Sequence, residues 1–333
     1  MALYDFIPRR SNLKVWLPVL VGLSLFPLFV RNEYFLNTAV FAGIYIILAS
    51  SLNITNGYTG LFSFGHAAFY GIGAYTAAIL ATRLGFPFLL TLPLSGIVAG
   101  ILGAAIAFPT LRLKGIFLAL VTIGFQQITF LVTMNWIGLT RGPMGIPGIP
   151  PASVFGFDLG SNFGYYYLIL ILDVVVIFLI SRIVDSRVGR AFVAIREDEL
   201  AAQSISINTF RAKVLSFVLA TFFAGIAGAF FAHHARFVSA DSFRLEETFL
   251  ILTMLIVGGM GSILGPVIGA ILLVVLPEVF RSLAEYRGVV YGFIMIAAIL
   301  FRPEGIAGVP GVIPARGILS RPEKRLATEE SAP

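Results

Sequence analysis

The sequence from Arg182 to Lys213 reads RIVDSRVGRAFVAIREDELAAQSISINTFRAK and is the longest charged interruption between long apolar segments. Asp198 and Glu199 stand where the first turn of a helix favours negative charge, and apolar residues follow at roughly helical spacing. The pattern predicts a short surface helix over 197–207. The basic residues around it are typical of a cytoplasmic loop in a membrane protein. We expect the apolar side of this helix to bind either a partner protein or lipid headgroups.

The composition is that of a polytopic membrane protein. Of the 333 residues, 58% are hydrophobic and 12% are charged, and the charged share is about half of that in globular proteins. The absence of cysteine excludes disulfides and thiolate sites, and the three histidines have no paired spacing, so no metal site is predicted. The net charge of +6 comes mainly from loops beside apolar segments, and it therefore reports membrane topology rather than binding to nucleic acid.

Apolar segments of membrane-spanning length divide the chain into about ten helices. Prolines forbid a regular helix in the linker at 135–162, and the sequence GGMGS at 258–262 divides one apolar run into two shorter helices. The predicted fold is an all-α membrane protein, a polytopic bundle of about ten transmembrane or partly re-entrant helices. The expected segments are 13–30, 35–52, 57–82, 88–108, 115–133, 163–183, 214–232, 248–276 in two parts, and 289–301.

The distribution of lysine and arginine predicts the orientation of the bundle. With ten spans and both termini in the cytoplasm, 16 of the 23 basic residues lie on the inner side and 7 on the outer side. This asymmetry is the one that membrane proteins show. We therefore assign residues 1–305 to a transmembrane domain with a cytoplasmic loop at 184–212, and residues 306–333 to a polar cytoplasmic tail.

A glycine-rich segment, 57–73, carries Ser63 and His66. Its glycines favour either a broken helix that shapes a translocation path or close packing between helices. A serine hydrolase needs a base oriented on the serine and an oxyanion site, which two side chains three residues apart on one helix do not supply. We therefore expect His66 to be a hydrogen-bonded interior residue.

Asp173 lies near the middle of an otherwise apolar segment, where an ionised carboxylate costs several kcal/mol. We expect it to tie helices together or to line a cavity, rather than to relay protons, because no second intramembrane carboxylate accompanies it. Polar side chains within spans commonly form hydrogen bonds between helices, and they can also line a path. The candidates for a path are Asn53, Ser63, His66, Gln126 and Asp173.

Three stretches resemble the LivM-type permeases of branched-chain amino acid ABC transporters. They are GRAFVAIREDELAA at 189–202, GLFSFGHAAF at 60–69 and GGMGSILGPVIGA at 258–270. In the wider importer family, the cytoplasmic loop carries a Glu-Ala-Ala motif with a glycine a few residues later. Ser206 stands at the position of that glycine. The residues that the resemblance assigns to coupling with an ATPase are Gly189, Arg190, Arg196, Glu197, Glu199, Ala201, Ala202 and Ser206.

The resemblance implies a permease subunit of an ATP-driven importer of branched-chain amino acids in the bacterial inner membrane. The implied partners are a homologous second permease, two ATP-binding cassette subunits, an external substrate-binding protein and membrane lipid. The chain lacks the Gly-x-x-x-x-Gly-Lys-Ser/Thr motif, so ATP and magnesium would bind to the partner ATPases. The chain itself would bind no cofactor and would not be an enzyme.

Other functions remain open at this stage. The substrate comes from the resemblance alone, so urea, short amides and other amino acids stay possible for an importer of this kind. The competing classes are a secondary transporter that acts without an ATPase and a membrane hydrolase.

Overall fold

The structure is a computed structural model, which describes residues 32–111, 113, 115–154 and 157–279, with Pro27 and scattered positions between 289 and 307. Nearly all of the expected span at 13–30, most of the span at 289–301 and the tail beyond Ala307 lie outside the described residues.

Helices form most of the described chain, in agreement with the predicted all-α class. Within the described residues, five helices are long and apolar enough to cross a bilayer: Glu33–Tyr58, Phe88–Thr110, Ile116–Asn135, Asn162–Val184 and Thr209–Ala235. The number of spans and the cytoplasmic location of both termini stay predictions. The helices are α1 (Glu33–Asn53), α2 (His66–Leu84), α3 (Phe88–Thr110), α4 (Ile116–Asn135), α5 (Ile137–Thr140), α6 (Asn162–Val184), α7 (Arg187–Glu197), α8 (Glu199–Ser204), α9 (Thr209–Ala235), α10 (Leu245–Gly258) and α11 (Leu264–Val279).

The glycine-rich segment forms a broken helix rather than a continuous one. The α1 helix continues into a buried π-helical turn, Ile54–Tyr58. After this turn, Gly60 takes a left-handed backbone with φ +72, and α2 begins only at His66. The break before α2 is observed, and glycines further along α2 pack closely against neighbouring segments, whereas a role of the break in a translocation path stays a prediction.

The centre of the bundle is built from α1 and α9. In each of these two helices, 67% of the most apolar 18-residue stretch is buried, compared with 22% in α4. The α9 helix packs against α2 and α3, where small residues let the backbones approach, and α1 packs against α6 and α11. The outer faces of α3, α4 and α6 expose leucine, isoleucine, valine and phenylalanine. These faces suit lipid or another apolar partner.

The linker at 135–162 lies at the far end of α9 from the charged loop. Its β1 strand (Ile146–Pro147) pairs with the strand Phe237–Val238, which directly follows α9. With 27 residues, α9 is about 40 Å long. The linker is largely irregular, as its prolines predict, but a second small pair of strands, Ser153–Val154 with Phe157–Asp158, was not predicted.

Candidate functional site

The cytoplasmic-type loop at 184–212 folds into two helices: the helix predicted over 197–207 is present in shorter form as α8, and a helix that was not predicted, α7, precedes it. The reason is local. Asp198 has an extended backbone that ends α7, and its Oδ1 accepts hydrogen bonds from the N–H groups of Leu200 and Ala201 at 2.8 and 3.1 Å. These bonds cap the start of α8. The expectation that acidic residues occupy a first turn here agrees with the structure.

Ser206 makes the turn that follows α8. Its φ is +66, in the left-handed region, and its N–H donates to the carbonyl of Gln203 at 3.0 Å. The N–H of Ile207 donates to the carbonyl of Ala202 at 3.1 Å, which closes the end of the helix. A left-handed backbone costs a non-glycine residue roughly 1–2 kcal/mol. Serine therefore makes the turn that glycine makes more easily.

Two charged residues of the loop bind the rest of the chain. Glu199 Oε1 accepts from Nζ of Lys213, at the start of α9, at 2.6 Å, and both side chains are largely buried. Nη1 of Arg196 donates to the carbonyl of Gly57 at 2.9 Å. Both residues were expected among those that couple to a partner. Within the chain, they hold the loop against α9 and against the end of α1.

The outward side of α8 and of the residue after it exposes two large apolar side chains. Leu200 is 71% exposed and Ile205 is 70% exposed, and Ala201 and Ser204 are exposed beside them. We call these four residues the docking face. Side chains of this size on a charged loop suit a partner protein.

The other loop residues divide between interior and surface. Gly189 and Ala202 are buried, and a Cβ at Gly189 would collide with the carbonyl of Val184. Arg190 is exposed and donates to the carbonyl of Asp185 at 3.3 Å, and Glu197 is exposed and pairs with Arg196.

Ser63 and His66 do not form a catalytic pair. Nε2 of His66 lies 2.8 Å from Oγ of Ser51, one helix away. The backbone of Ser63 is instead held by Asn56, whose side chain accepts from the N–H at 3.2 Å and donates to the carbonyl at 3.3 Å. His66 is therefore a hydrogen-bonded interior residue, as predicted, and the arrangement does not suit a serine hydrolase.

Asn53 and Gln126 each hold a distant part of the backbone. Oδ1 of Asn53 accepts from the N–H of Gly261 at 2.9 Å, and its Nδ2 donates to the carbonyl of Ser262 at 2.7 Å. Nε2 of Gln126 donates to the carbonyl of Phe243 at 2.6 Å. The path candidates thus bond to separate segments, and the structure does not gather them into one site.

Asp173 is buried between α6 and α1, with 7% of its surface exposed. A Cβ on Gly43 of α1 would lie 2.9 Å from Asp173 Oδ2, so the glycine leaves room for the carboxyl group. Within the described chain, Asp173 Oδ1 has no hydrogen-bond partner. The structure therefore shows no hydrogen-bonded tie through Oδ1, and the expectation that Asp173 ties helices together or lines a cavity stays a prediction.

Two threonines that sequence reasoning missed support the break before α2 and the first turn of α2. Oγ1 of Thr122 accepts from the N–H of Phe64 at 3.0 Å, and Oγ1 of Thr248 accepts from the N–H of Ala67 at 3.1 Å. A threonine in a span usually bonds to its own helix, as Thr122 also does through Ala119. The sequence therefore gave no signal for either contact. Sequence reasoning also missed the role of Lys213, although a cation at the edge of a span was a signal that could have revealed it.

The family comparison agrees with this architecture. The family model described as the permease component of the branched-chain amino acid transport system matches residues 34–299. The chain belongs to this family. The match includes the loop and all five long apolar helices.

The alignments with several relatives cover most of each relative's length. The high-affinity branched-chain amino acid transport system permease protein LivM of Escherichia coli is 36% identical, with 88% of this chain and 74% of the relative covered. The permease BraD of Pseudomonas aeruginosa is 28% identical, with 80% of this chain and 92% of the relative covered. The permease LivH of Salmonella typhimurium is 26% identical, with 83% of this chain and 95% of the relative covered. No solved structure matches the chain.

Proposed function

We propose that this chain is a permease subunit of an ATP-driven importer that carries branched-chain amino acids across the bacterial inner membrane. The observation that carries the proposal is the family match over residues 34–299. The relatives' printed names support the substrate, since LivM, LivH and BraD are each named as branched-chain amino acid transport permeases.

The proposed partners follow from the two ends of the bundle. A homologous permease pairs with this one, which fits the similarity of the chain to both LivM and LivH relatives. Two ATP-binding cassette subunits bind the loops of the permease pair, here through the docking face, and they hold the ATP and magnesium. An external binding protein delivers the amino acid at the end that carries the linker. Closure of the ATPases then needs to shift a two-state bundle by only a few kcal/mol.

Uptake in cells tests the proposed function. Deletion of the gene should abolish ATP-dependent uptake of labelled leucine, and the intact gene should restore it. Excess isoleucine and valine should compete with leucine, whereas urea and acetamide should not. Transport of leucine by the isolated chain in proteoliposomes, without any ATPase, would contradict the proposal and favour a secondary transporter.

The first prediction concerns membrane orientation. Because α9 separates the loop from the linker by about 40 Å, the two should face opposite sides of the bilayer. A reporter fused after Arg190 should be cytoplasmic, and a reporter inserted near Pro147 should be external. Protease protection in spheroplasts measures this, and a cytoplasmic reporter at 140–155 would overturn the orientation.

The second prediction concerns Asp173. A buried polar atom without a hydrogen bond costs about 1–3 kcal/mol, so Asp173→Leu should raise the melting temperature of the purified chain. The same variant should lower leucine uptake, because ionisable groups inside a membrane are usually functional. Asp173→Asn keeps the size and polarity, and it should fold normally. If Asp173→Leu leaves both melting temperature and uptake unchanged, the carboxyl group faces water or headgroups instead.

A further inference from the structure

We propose that Arg196 and Asn53 are positioning residues for transport, which connect the loop to the glycine-rich break between α10 and α11 through the π-helical end of α1. The inference rests on the proposed function, and it names the part of the bundle that responds when the loop moves. Neither α10 nor α11 is joined to the loop by a short connection along the chain, so the link depends on these contacts.

The first contact is that of Arg196 with the end of α1. The Arg196 side chain is 9% exposed, and its Nη1 donates to the carbonyl of Gly57 at 2.9 Å. Glu197 Oε1 accepts from Nε and Nη2 of the same group at 3.1 and 2.6 Å, which fixes its orientation. A cation at a helix C-terminus, bonded to a free carbonyl and shielded from water, is a strong and directional contact.

Space for this contact depends on Gly60. A Cβ at that position would lie 2.9 Å from Cγ of Arg196, and the backbone of Gly60 is left-handed. The chain therefore passes directly under the arginine stem. Movement of α7 cannot leave the residues around Gly57 in place without breaking the hydrogen bond.

The second contact lies inside the π-helical turn, whose five residues are all buried. A Cβ on Gly57 would collide with Oδ1 of Asn53 and would lie 2.6 Å from the N–H nitrogen of Gly261. Asn53, Gly57 and Gly261 are thus in mutual contact. Since packed interiors do not deform continuously, a displacement of Gly57 displaces the Asn53 amide. Widened helical turns of this kind often mark functional positions.

The third contact joins Asn53 to the break between α10 and α11. The Asn53 amide accepts from the N–H of Gly261 and donates to the carbonyl of Ser262, so one side chain holds both residues. Gly259 and Gly261 have φ of +119 and +76, which other residues rarely adopt. The break is a non-helical junction where backbone rotation changes the relation of two helices, as hinges do.

A third segment meets the same junction. The N–H of Ile306 donates to the carbonyl of Val257 at 3.0 Å, and the N–H of Ala307 donates to that of Gly258 at 2.8 Å. The junction is therefore held from two sides, by Asn53 at Gly261 and Ser262 and by residues 306–307 at the end of α10. Loss of the Asn53 contact should loosen the junction without unfolding the helices beside it.

Amide hydrogen exchange on the purified full chain tests the connection directly. Arg196→Gln removes the bond to Gly57, and it should speed exchange at 257–262 by about tenfold or more, because opening there needs less free energy. The matched control is Arg187→Gln, an exposed arginine on the same helix, which should leave exchange at 257–262 unchanged. An unchanged rate in Arg196→Gln would overturn the proposal.

A double-mutant cycle adds a second criterion. Asn53→Leu should also speed exchange at 257–262, and the double variant should show little more than the larger single effect, because both act on one connection. Effects that multiply would mean two independent contacts and would overturn the proposal. Gly57→Ala, which displaces the Asn53 amide, serves in place of Asn53→Leu if the leucine variant does not accumulate.

Transport by the assembled importer gives the functional result. Arg196→Gln and Asn53→Leu should retain the ATPase subunits and their ATP hydrolysis, yet transport at least tenfold less leucine per ATP. Arg196→Lys, which can still reach one carbonyl, should restore part of it. Loss of the ATPase subunits in Arg196→Gln would assign Arg196 to docking and overturn the proposal. If the unaltered importer carries no leucine, the proposed function fails, and the exchange measurements still decide the connection.

Discussion

Replacement of Gly228 with valine is expected to prevent the chain from accumulating in the membrane as a folded protein. Gly228 lies on α9 where it crosses α2. A Cβ there would collide with the carbonyl of Tyr70 and would lie 2.7 Å from the backbone nitrogen of Ala74. Overpacking costs about 1–3 kcal/mol when side chains can adjust. Here both obstacles are backbone atoms, so the helices must separate and the cost should exceed that range.

The amount of full-length protein in membranes and its melting temperature in detergent measure this effect. Gly124→Val is the matched control, because Gly124 lies in the apolar helix α4 and a Cβ there would meet no atom within 4 Å. The control should accumulate normally. Normal accumulation of Gly228→Val with an unchanged melting temperature would contradict the close approach of α2 and α9.

The apolar segments were predictable because membrane thickness fixes the length of a span. The expected span at 88–108 is observed as Phe88–Thr110, and the one at 163–183 as Asn162–Val184. The break before α2 was predicted only as one of two alternatives. Its polar backbone is stabilised by threonines on other helices, and no pattern within the segment itself reveals those partners.

The candidate site was predictable to the same extent. The acidic first turn of α8 depends on local backbone chemistry and was located from the residues, whereas Ser206 was singled out by the resemblance and its left-handed turn is seen only in the structure. The partners of the charged residues were not predictable. Lys213 lies 14 positions after Glu199, and Gly57 lies 139 positions before Arg196. Only the folded chain shows that these two charges bind within the bundle and are not free to contact another protein.

Because these two charges bind within the bundle, the loop residues that contact the ATPase directly should be those of the docking face. Charge reversal in Glu199→Lys would set two cations together, and it should weaken binding by displacing the loop from α9. Leu200→Glu and Ala201→Trp alter exposed positions, so the isolated chain should keep its melting temperature. In a packed interface, however, burying an unpaired charge is strongly unfavourable. A bulky ring also overpacks such an interface.

We expect Leu200→Glu to have the larger effect, because loss of a central apolar contact costs about 2 kcal/mol or more, roughly thirtyfold in affinity. Co-purification of the ATPase subunits and leucine-stimulated ATP hydrolysis should both fall. The matched control is Ile137→Glu, since Ile137 is also 71% exposed but lies in the linker, at the opposite end of α9. It should retain the ATPase subunits. Full ATPase binding and full stimulation in both Leu200→Glu and Ala201→Trp would mean that the docking face rests on lipid headgroups, and the importer proposal would lose its main physical support.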